Sequence, residues 1–561
     1  MPVNDDNYLG NLVGETGGLQ LTVALRDSFS ARRGEFVRVQ HQEESDGRST
    51  WVLGRILGVS RQSLLFDPNI GEGIAEVRFL ADQRTGESNF ASMELIGYRD
   101  PDSGEIKTPR RPLEPGARVF PVDFEFLRNF YEYSPETNIR LGNLVGYEKG
   151  SNIVPVYVDI NRIVTEHLAV LAMTGAGKSY TVGRLIERML VEANASVVVL
   201  DPHGEYGKAF RGGRLNFAPD HVLEVASDHD DLRELRRRLE EMQSQGGGLR
   251  VYTPRAREFS LKYAGQNREL ALRLDDMHVE ELGTIFPEST EPQQRILQLV
   301  LKYWERHSEP PRDPRELLEL CSSGLQRLKE WDEISEGERK SISSRSASIV
   351  ALRLRNLLDD AKSFYEPGQQ PFDVRDMVGR RRSYTGKPTL GRISIIDLQG
   401  LSQTSMQVVV AIICSEILKV AQDPEDPIRP VFVVVEEGHT FAPAQDASLS
   451  RPVIKKIAAE GRKFGVGLAI VSQRPNKLDA DVTSQCNTII AMRIKNPDDQ
   501  RFIARTSDYF SEADLKELPA LSTGEALVTG RAILAPLIVK VGAKALIHGG
   551  ESPDVVRSWR E

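Results

Sequence analysis

A chain of 561 residues has room for three or four structural units at about 100–200 residues each. Hydrophobic residues make up 40% of it and charged residues 27%, a balance that excludes a disordered chain and a polytopic membrane protein. The net charge of -9 gives no global attraction for nucleic acid, so a polyanion would have to meet a local basic surface.

Residues 1–148 read as an all-β domain. LQLTVALR (19–26), EFVRVQHQ (35–42), WVLGRILGV (51–59) and AEVRFLA (75–81) are short, β-rich and separated by glycine- and charge-rich turns, the spacing of a small barrel or sandwich. From about residue 149 apolar runs alternate with amphipathic helices, the pattern of a parallel α/β sheet. Residues 149–221 are expected to form the first part of that sheet and 386–500 the second. Between them 222–385 read as a helical insertion, with helical spacing at 232–243, 293–307, 314–331 and 346–365. In the tail, 501–561, GEALVTG (524–530) and PLIVKVGA (536–543) suggest a terminal strand pair.

The apolar run 408–421 is broken by Ser415, Glu416 and Lys419 and reads as a buried helix, since a bilayer span needs about 18 apolar residues. The acidic start MPVNDDNYLG lacks the segments of a signal peptide, so a cytoplasmic protein with no membrane partner is expected. Cys321, Cys414 and Cys486 are far apart and form no CxxC pair, which argues against a disulfide framework or a zinc site.

The chemistry gathers at strand ends. In HLAVLAMTGAGKSYTVGRLIERML (167–190) an apolar strand runs into TGAGKS and then a helix, the context that a P-loop requires. The backbone of Thr174, Gly175, Ala176, Gly177, Lys178, Ser179 and Tyr180 would wrap phosphate oxygens at the positive end of the helix. Lys178 would hold the β and γ phosphates, and the Ser179 hydroxyl would be a magnesium ligand. The first glycine of the usual pattern is replaced by Ala172, which alanine can fill if its φ is negative.

A second strand, VFVVVEEGHTF (431–441), ends in two carboxylates, and a buried strand tolerates such charges only where a partner compensates their lost hydration. Ligands in a doubly wound sheet sit beyond the carboxyl ends of the strands, so both motifs should meet on one rim. Glu436 would then serve the magnesium, and Glu437 would polarise the water that attacks the γ phosphate. ASVVVLDPHGEY brings Asp201 to that rim as a further nucleotide-site residue. GLAIVSQRP brings Gln473, either as a γ-phosphate sensor or as a turn residue, and RISIIDLQG brings Asp397 and Gln399.

Taken together, LAMTGAGKS, VLDPHGEY, VVVEEGHTF, EGRKFGVGLAIVSQRP and the N-terminal β region resemble the HerA branch of the HerA/FtsK superfamily of ring ATPases. The resemblance implies a RecA-like P-loop NTPase core with a helical insertion, preceded by an all-β HAS-like barrel and followed by a C-terminal brace. It also implies a homohexamer that uses ATP and Mg2+ to move along double-stranded DNA and feeds a NurA-type nuclease in end resection. A ring scaffold that gates a defence effector, Sir2-like or a nuclease, is the other function in view. Rings of this kind use a neighbour's arginine at the transition state, with Arg462 the first candidate here, Arg474 the second and Arg162 the third. Lys455, Lys456, Lys463 and the triplets at 236–238 and 380–382 are candidates for a pore surface.

Overall fold

The computed structural model describes residues 7–26, 31–42, 49–63, 87–132, 136–147, 153–211, 214–220, 229–253, 268–270, 289–308, 313, 315–361, 373–379, 390–426, 428–446, 448–507, 509–547, 549–550 and 559. The chain divides into two compact units. The first comprises 1–133, 149–154 and 534–536, and the second takes the rest.

The first unit is built on β1 (Gly10–Val13), β2 (Gln20–Leu25), β3 (Phe36–His41), β4 (Thr50–Ser63), β5 (Glu87–Arg99), β6 (Ile106–Lys107) and β7 (Arg118–Pro121). Their order is β2-β1-β7-β3-β4-β5-β6, antiparallel throughout, and β2 also pairs with β5. That extra pairing closes six strands into a barrel and removes their free edges. Alternation supplies the interior, with Val23, Val37, Val39, Val52, Met93 and Val119 packed together. The long β4–β5 ribbon bends at register shifts between Leu53/Gly54 and Ile56/Gly58. Gly54 is required at the first of these, since a Cβ there would lie 2.7 Å from the Met93 sulfur. Three of the expected strands are thus present; AEVRFLA (75–81) lies outside the described residues.

The second unit is organised by a 12-stranded sheet. Its strands are β8 (Asn138–Leu144), β9 (Pro155–Asp159), β10 (Leu168–Leu171), β11 (Ser196–Asp201), β14 (Gly248–Thr253), β15 (Arg268–Glu269), β16 (Arg392–Asp397), β17 (Val431–Val435), β18 (Val466–Ser472), β19 (Thr488–Ala491), β20 (Glu525–Gly530) and β21 (Leu537–Val541), while β12 (Phe210–Arg211) and β13 (Arg214–Leu215) form a separate hairpin. The order is β15-β14-β16-β11-β17-β18-β10-β19-β20-β21-β8-β9. From β15 to β19 every pairing is parallel, and the remaining strands extend the sheet antiparallel. Parallel strands covered on both faces need apolar side chains in both directions, which is why β17 reads VFVVV and is buried at every position.

Two expectations meet the structure differently. Residues 222–385 do contain helices, including His229–Ser244, Glu291–His307 and Ser344–Ala361, but Gly248–Thr253 is strand β14, hydrogen-bonded to β16 within the sheet. Its six residues, GLRVYT, include an arginine and follow a strongly amphipathic helix, so the short β signal is lost in the helical one. The run at 408–421 belongs to the helix Gln403–Ala421, which is long and apolar enough by length and composition to cross a membrane. Here Val408, Ile412, Ile413 and Ile417 are buried in the core of this unit, as the sequence led us to expect. The tail carries the anticipated strand pair, with β20 and β21 antiparallel.

Candidate active site

Because β10, β11, β16, β17 and β18 are parallel, their carboxyl ends share one rim. Strand β10 leads into residues 172–177 and then the helix Lys178–Ala193. The loop turns through Gly175 (φ +76°) and Gly177 (φ +103°), a left-handed backbone that glycine adopts without cost. Ala172 is fully buried, and its N–H donates to the Ser472 carbonyl at 3.2 Å. It is not among the non-glycine residues of positive φ, which are His167, Asn194 and Glu437, so alanine fits where the common pattern has glycine. The Met173 N–H donates to the Arg493 carbonyl at 3.0 Å and the Gly524 N–H to the Ala176 carbonyl at 3.1 Å, which fastens the loop to the end of β19 and the start of β20.

The end of β17 lies two strands from β10, across β18, and its acidic pair reaches the loop. Lys178 Nζ donates to Glu436 Oε2 at 2.6 Å and to Glu437 Oε1 at 3.2 Å. All three residues are nearly sequestered, at 7%, 3% and 6% exposure. Burial alone would neutralise the lysine, but the two carboxylates outweigh it and hold its ammonium above the ordinary value. Glu437 follows the same logic: burial opposes ionisation, yet Lys178 and the Gln473 hydrogen bond keep its carboxyl below the ordinary range.

Around this pair stands a shell of polar groups. Tyr206 donates its hydroxyl to Glu436 Oε1, and Gln473 Nε2 donates to Glu437 Oε1 while its carbonyl oxygen accepts from Thr174. His439 Nδ1 lies 3.4 Å from Glu437 Oε2. Asp201 ends β11 level with Asp397 on β16 and accepts the backbone N–H groups of His203 (3.2 Å) and Tyr206 (2.9 Å). Its full burial, with Asp397 and Glu436 nearby, pushes its pKa up to about 7. The Asp397 carboxylate accepts the Gln399 N–H at 3.0 Å.

The structure therefore brings Thr174, Lys178, Glu436, Glu437 and Gln473 into one hydrogen-bonded cluster, with Ser179 buried beside Lys178 in the first helical turn. Tyr180 accepts the Lys544 N–H at 2.9 Å instead of facing the loop. Asp201 is a turn-forming carboxylate one strand further out. Arg462, in the short turn Gly461–Phe464, and Arg474, after β18, are exposed; among the described residues no hydrogen bond or ion pair ties either guanidinium to the carboxylate pair. Arg162 lies in the helix Ile160–Glu166 and donates to the Arg531 carbonyl at 3.1 Å. Of the basic candidates, Lys455 pairs with Asp481 and Arg236 and Arg237 pair with acids of their own helix, whereas the triplet at 380–382 lies outside the described residues.

Sequence reasoning passed over Tyr206 and His439 as site residues. Tyr206 lies within the stretch VLDPHGEY, but only its burial in the fold shows that its hydroxyl needs a partner. His439 follows the acidic pair by two residues and had only proximity to recommend it.

A parallel sheet with a strand, glycine loop and helix at its rim, whose lysine meets a carboxylate pair from a strand two places away, defines a P-loop NTPase. The family description "Helicase HerA, central domain" matches residues 139–417. That central region is of the HerA family, and the chain is a P-loop ATPase. Among similar proteins, a probable helicase of Methanocaldococcus jannaschii is 26% identical over 100% of this chain and 95% of its own. The DNA double-strand break repair helicase HerA of Pyrococcus furiosus is 26% identical over 99% of this chain and 97% of its own. Among solved structures, the bacterial conjugative coupling protein TrwB is 14% identical, with a TM-score of 0.47, over 77% of this chain and 95% of that one.

Proposed function

We propose that the chain is the subunit of a cytoplasmic homohexameric ring that hydrolyses ATP to move along double-stranded DNA and supplies a NurA-type nuclease in end resection. The observation that carries this reading is the ion cluster in which Lys178 bridges Glu436 and Glu437, residues some 258 positions apart in sequence. The names of its relatives, DNA double-strand break repair helicases in Pyrococcus furiosus and Sulfurisphaera tokodaii, favour DNA as the track.

In this reading the ammonium of Lys178 leaves the glutamates for the β and γ phosphates, and the backbone of residues 174–179 holds the remaining phosphate oxygens. That exchange leaves two adjacent buried carboxylates without their cation, which is the charge that a divalent ion balances. The donors fit magnesium: Glu436 and the Ser179 hydroxyl are hard oxygen ligands, and magnesium sites usually combine one or two carboxylates with substrate phosphates. Among the described residues no group of three or more His, Cys, Asp or Glu side chains could hold a metal alone, so the ion would arrive with the nucleotide. Magnesium bound there would neutralise charge developing on the phosphate oxygens. Glu437 orients and polarises the attacking water, Gln473 links that carboxylate to Thr174 in the phosphate loop, and Arg462 of a neighbouring subunit reaches the transition state.

The test is ATP hydrolysis with and without linear duplex DNA for wild type and Glu437→Gln. We expect DNA to stimulate the wild type, and the substitution to keep ATP binding while lowering turnover at least about 100-fold, the scale of a lost general base. Turnover that persists in Glu437→Gln would overturn the assignment of the base, and a wild-type rate indifferent to DNA would overturn the translocase.

A further inference from the structure

Glu437 is held in an uncommon conformation. It sits just past β17 with φ +48° and ψ +47°, the left-handed region that a residue with a side chain rarely adopts. The chain then runs close against β18, since a Cβ at Gly438 would come within 2.4 Å of Ile470 Cδ1. The backbone of the acidic pair is thus pressed against β18, and its side chain is tied to the same strand's end. A chain of polar contacts leads away from Glu437 Oε2: His439 Nδ1 at 3.4 Å, then from His439 Nδ1 to Ser472 Oγ at 3.2 Å, then the Arg474 N–H donating to Ser472 Oγ at 3.0 Å. Ser472 is fully buried and His439 half-buried.

A serine that ends a strand and accepts the N–H two residues later is a common turn, and that hydrogen bond alone satisfies it. The imidazole adds something the turn does not need. With its proton on Nδ1 the imidazole shares that one donor between the serine oxygen and the carboxylate, so the serine's position sets the ring and the ring steadies Glu437 Oε2. The other oxygen is fixed independently by Gln473 and Lys178. When Lys178 turns to the phosphates, His439 and Gln473 are left to hold the carboxylate.

We propose that His439 and Ser472 are positioning residues for hydrolysis: they hold Glu437 in its left-handed pose and tie its orientation to the turn at Arg474. The inference rests on the reading of Glu437 as the residue that polarises the attacking water. Loss of the tie leaves the nucleotide's binding groups in place and lets the carboxylate swing, which lowers turnover and spares affinity.

The experiment measures kcat and KM for ATP, together with thermal stability, in Ser472→Ala, His439→Phe and His439→Asn. Phenylalanine keeps the ring and removes its polar atoms, whereas asparagine can return a polar atom near the Nδ1 position. We expect Ser472→Ala and His439→Phe to lower kcat about 10- to 100-fold, the penalty of misplacing a reacting group by roughly 1 Å, with KM within about threefold of wild type. His439→Asn should recover most of that loss, and the melting temperatures should stay near that of wild type. An unchanged kcat in Ser472→Ala and His439→Phe would overturn the positioning role. So would a fall in kcat that only tracks a fall in stability and that His439→Asn fails to relieve. Glu437→Gln, assayed alongside, separates the two ideas: if it too retains turnover, the reading of Glu437 fails; if it alone is inactive, only the positioning role fails.

Discussion

Two of the buried charge clusters on the helix Lys178–Ala193 differ in the direction in which their groups are shifted. At its first residue Lys178 faces two carboxylates, and the fields of the partners outweigh burial: the lysine is pushed up and Glu437 down, both toward their charged forms. Midway along the helix Glu187 faces Lys544 at 3.7 Å, and there burial wins, raising the carboxyl and lowering the ammonium toward neutrality. That second pair is fixed by backbone: Glu187 accepts the Ala545 N–H at 2.9 Å and the Leu546 N–H at 3.3 Å, and Arg184 donates to the Ala543 carbonyl. Gly183 clears the way, since a Cβ there would lie 2.4 Å from Lys544 Nζ. A carboxylate tied to two amides has nowhere else to go, whereas one lysine shared by two carboxylates can be drawn off by a triphosphate once a second cation takes its place. The comparison separates a permanent clasp on the terminal segment from an exchangeable site.

Removing one side of the clasp should have the larger effect on stability. Glu187→Ala leaves the Lys544 side chain and two buried amides without their acceptor, a loss of several kcal/mol at about 1–3 kcal/mol for each buried donor left unpaired. Thermal unfolding checks this, and a melting temperature within a degree or two of wild type would erase the distinction. A smaller, pH-dependent effect is expected at the rim. The folded pKa of Asp201, about 7, lies above its ordinary value of 3.8, so its contribution to stability is full below about pH 4 and is lost as pH rises through 7. Asp201→Asn does not titrate, so its melting temperature should gain on that of wild type between pH 5 and pH 8. A gap that stays constant across that range would show that the carboxyl is not protonated in the fold.

The meeting of Lys178 with Glu436 and Glu437 was readable from sequence because each part has a local signature: TGAGKS after an apolar run, and two acids where five apolar residues end. The topology principle that puts strand ends on one rim did the rest, and it located the pair before any distance was available. The clasp was not readable, because Glu187 and Lys544 lie at ordinary helix and tail positions, 357 residues apart, and nothing local marks a glutamate that will accept two distant amides. Tyr180 shows the same limit. Its place after Ser179 suggested the nucleotide, yet its hydroxyl turns to the terminal segment. Strand β14 was hidden by its brevity, and nothing local in the sequence marks the left-handed pose of Glu437.

A structure of the Glu437→Gln variant with ATP and magnesium shows whether Lys178 exchanges its carboxylates for phosphate. Lys178 Nζ should lie within hydrogen-bonding distance of the β or γ phosphate, with Glu436 and Ser179 on the metal side. A nucleotide held with Lys178 still bound to Glu436 would contradict that exchange.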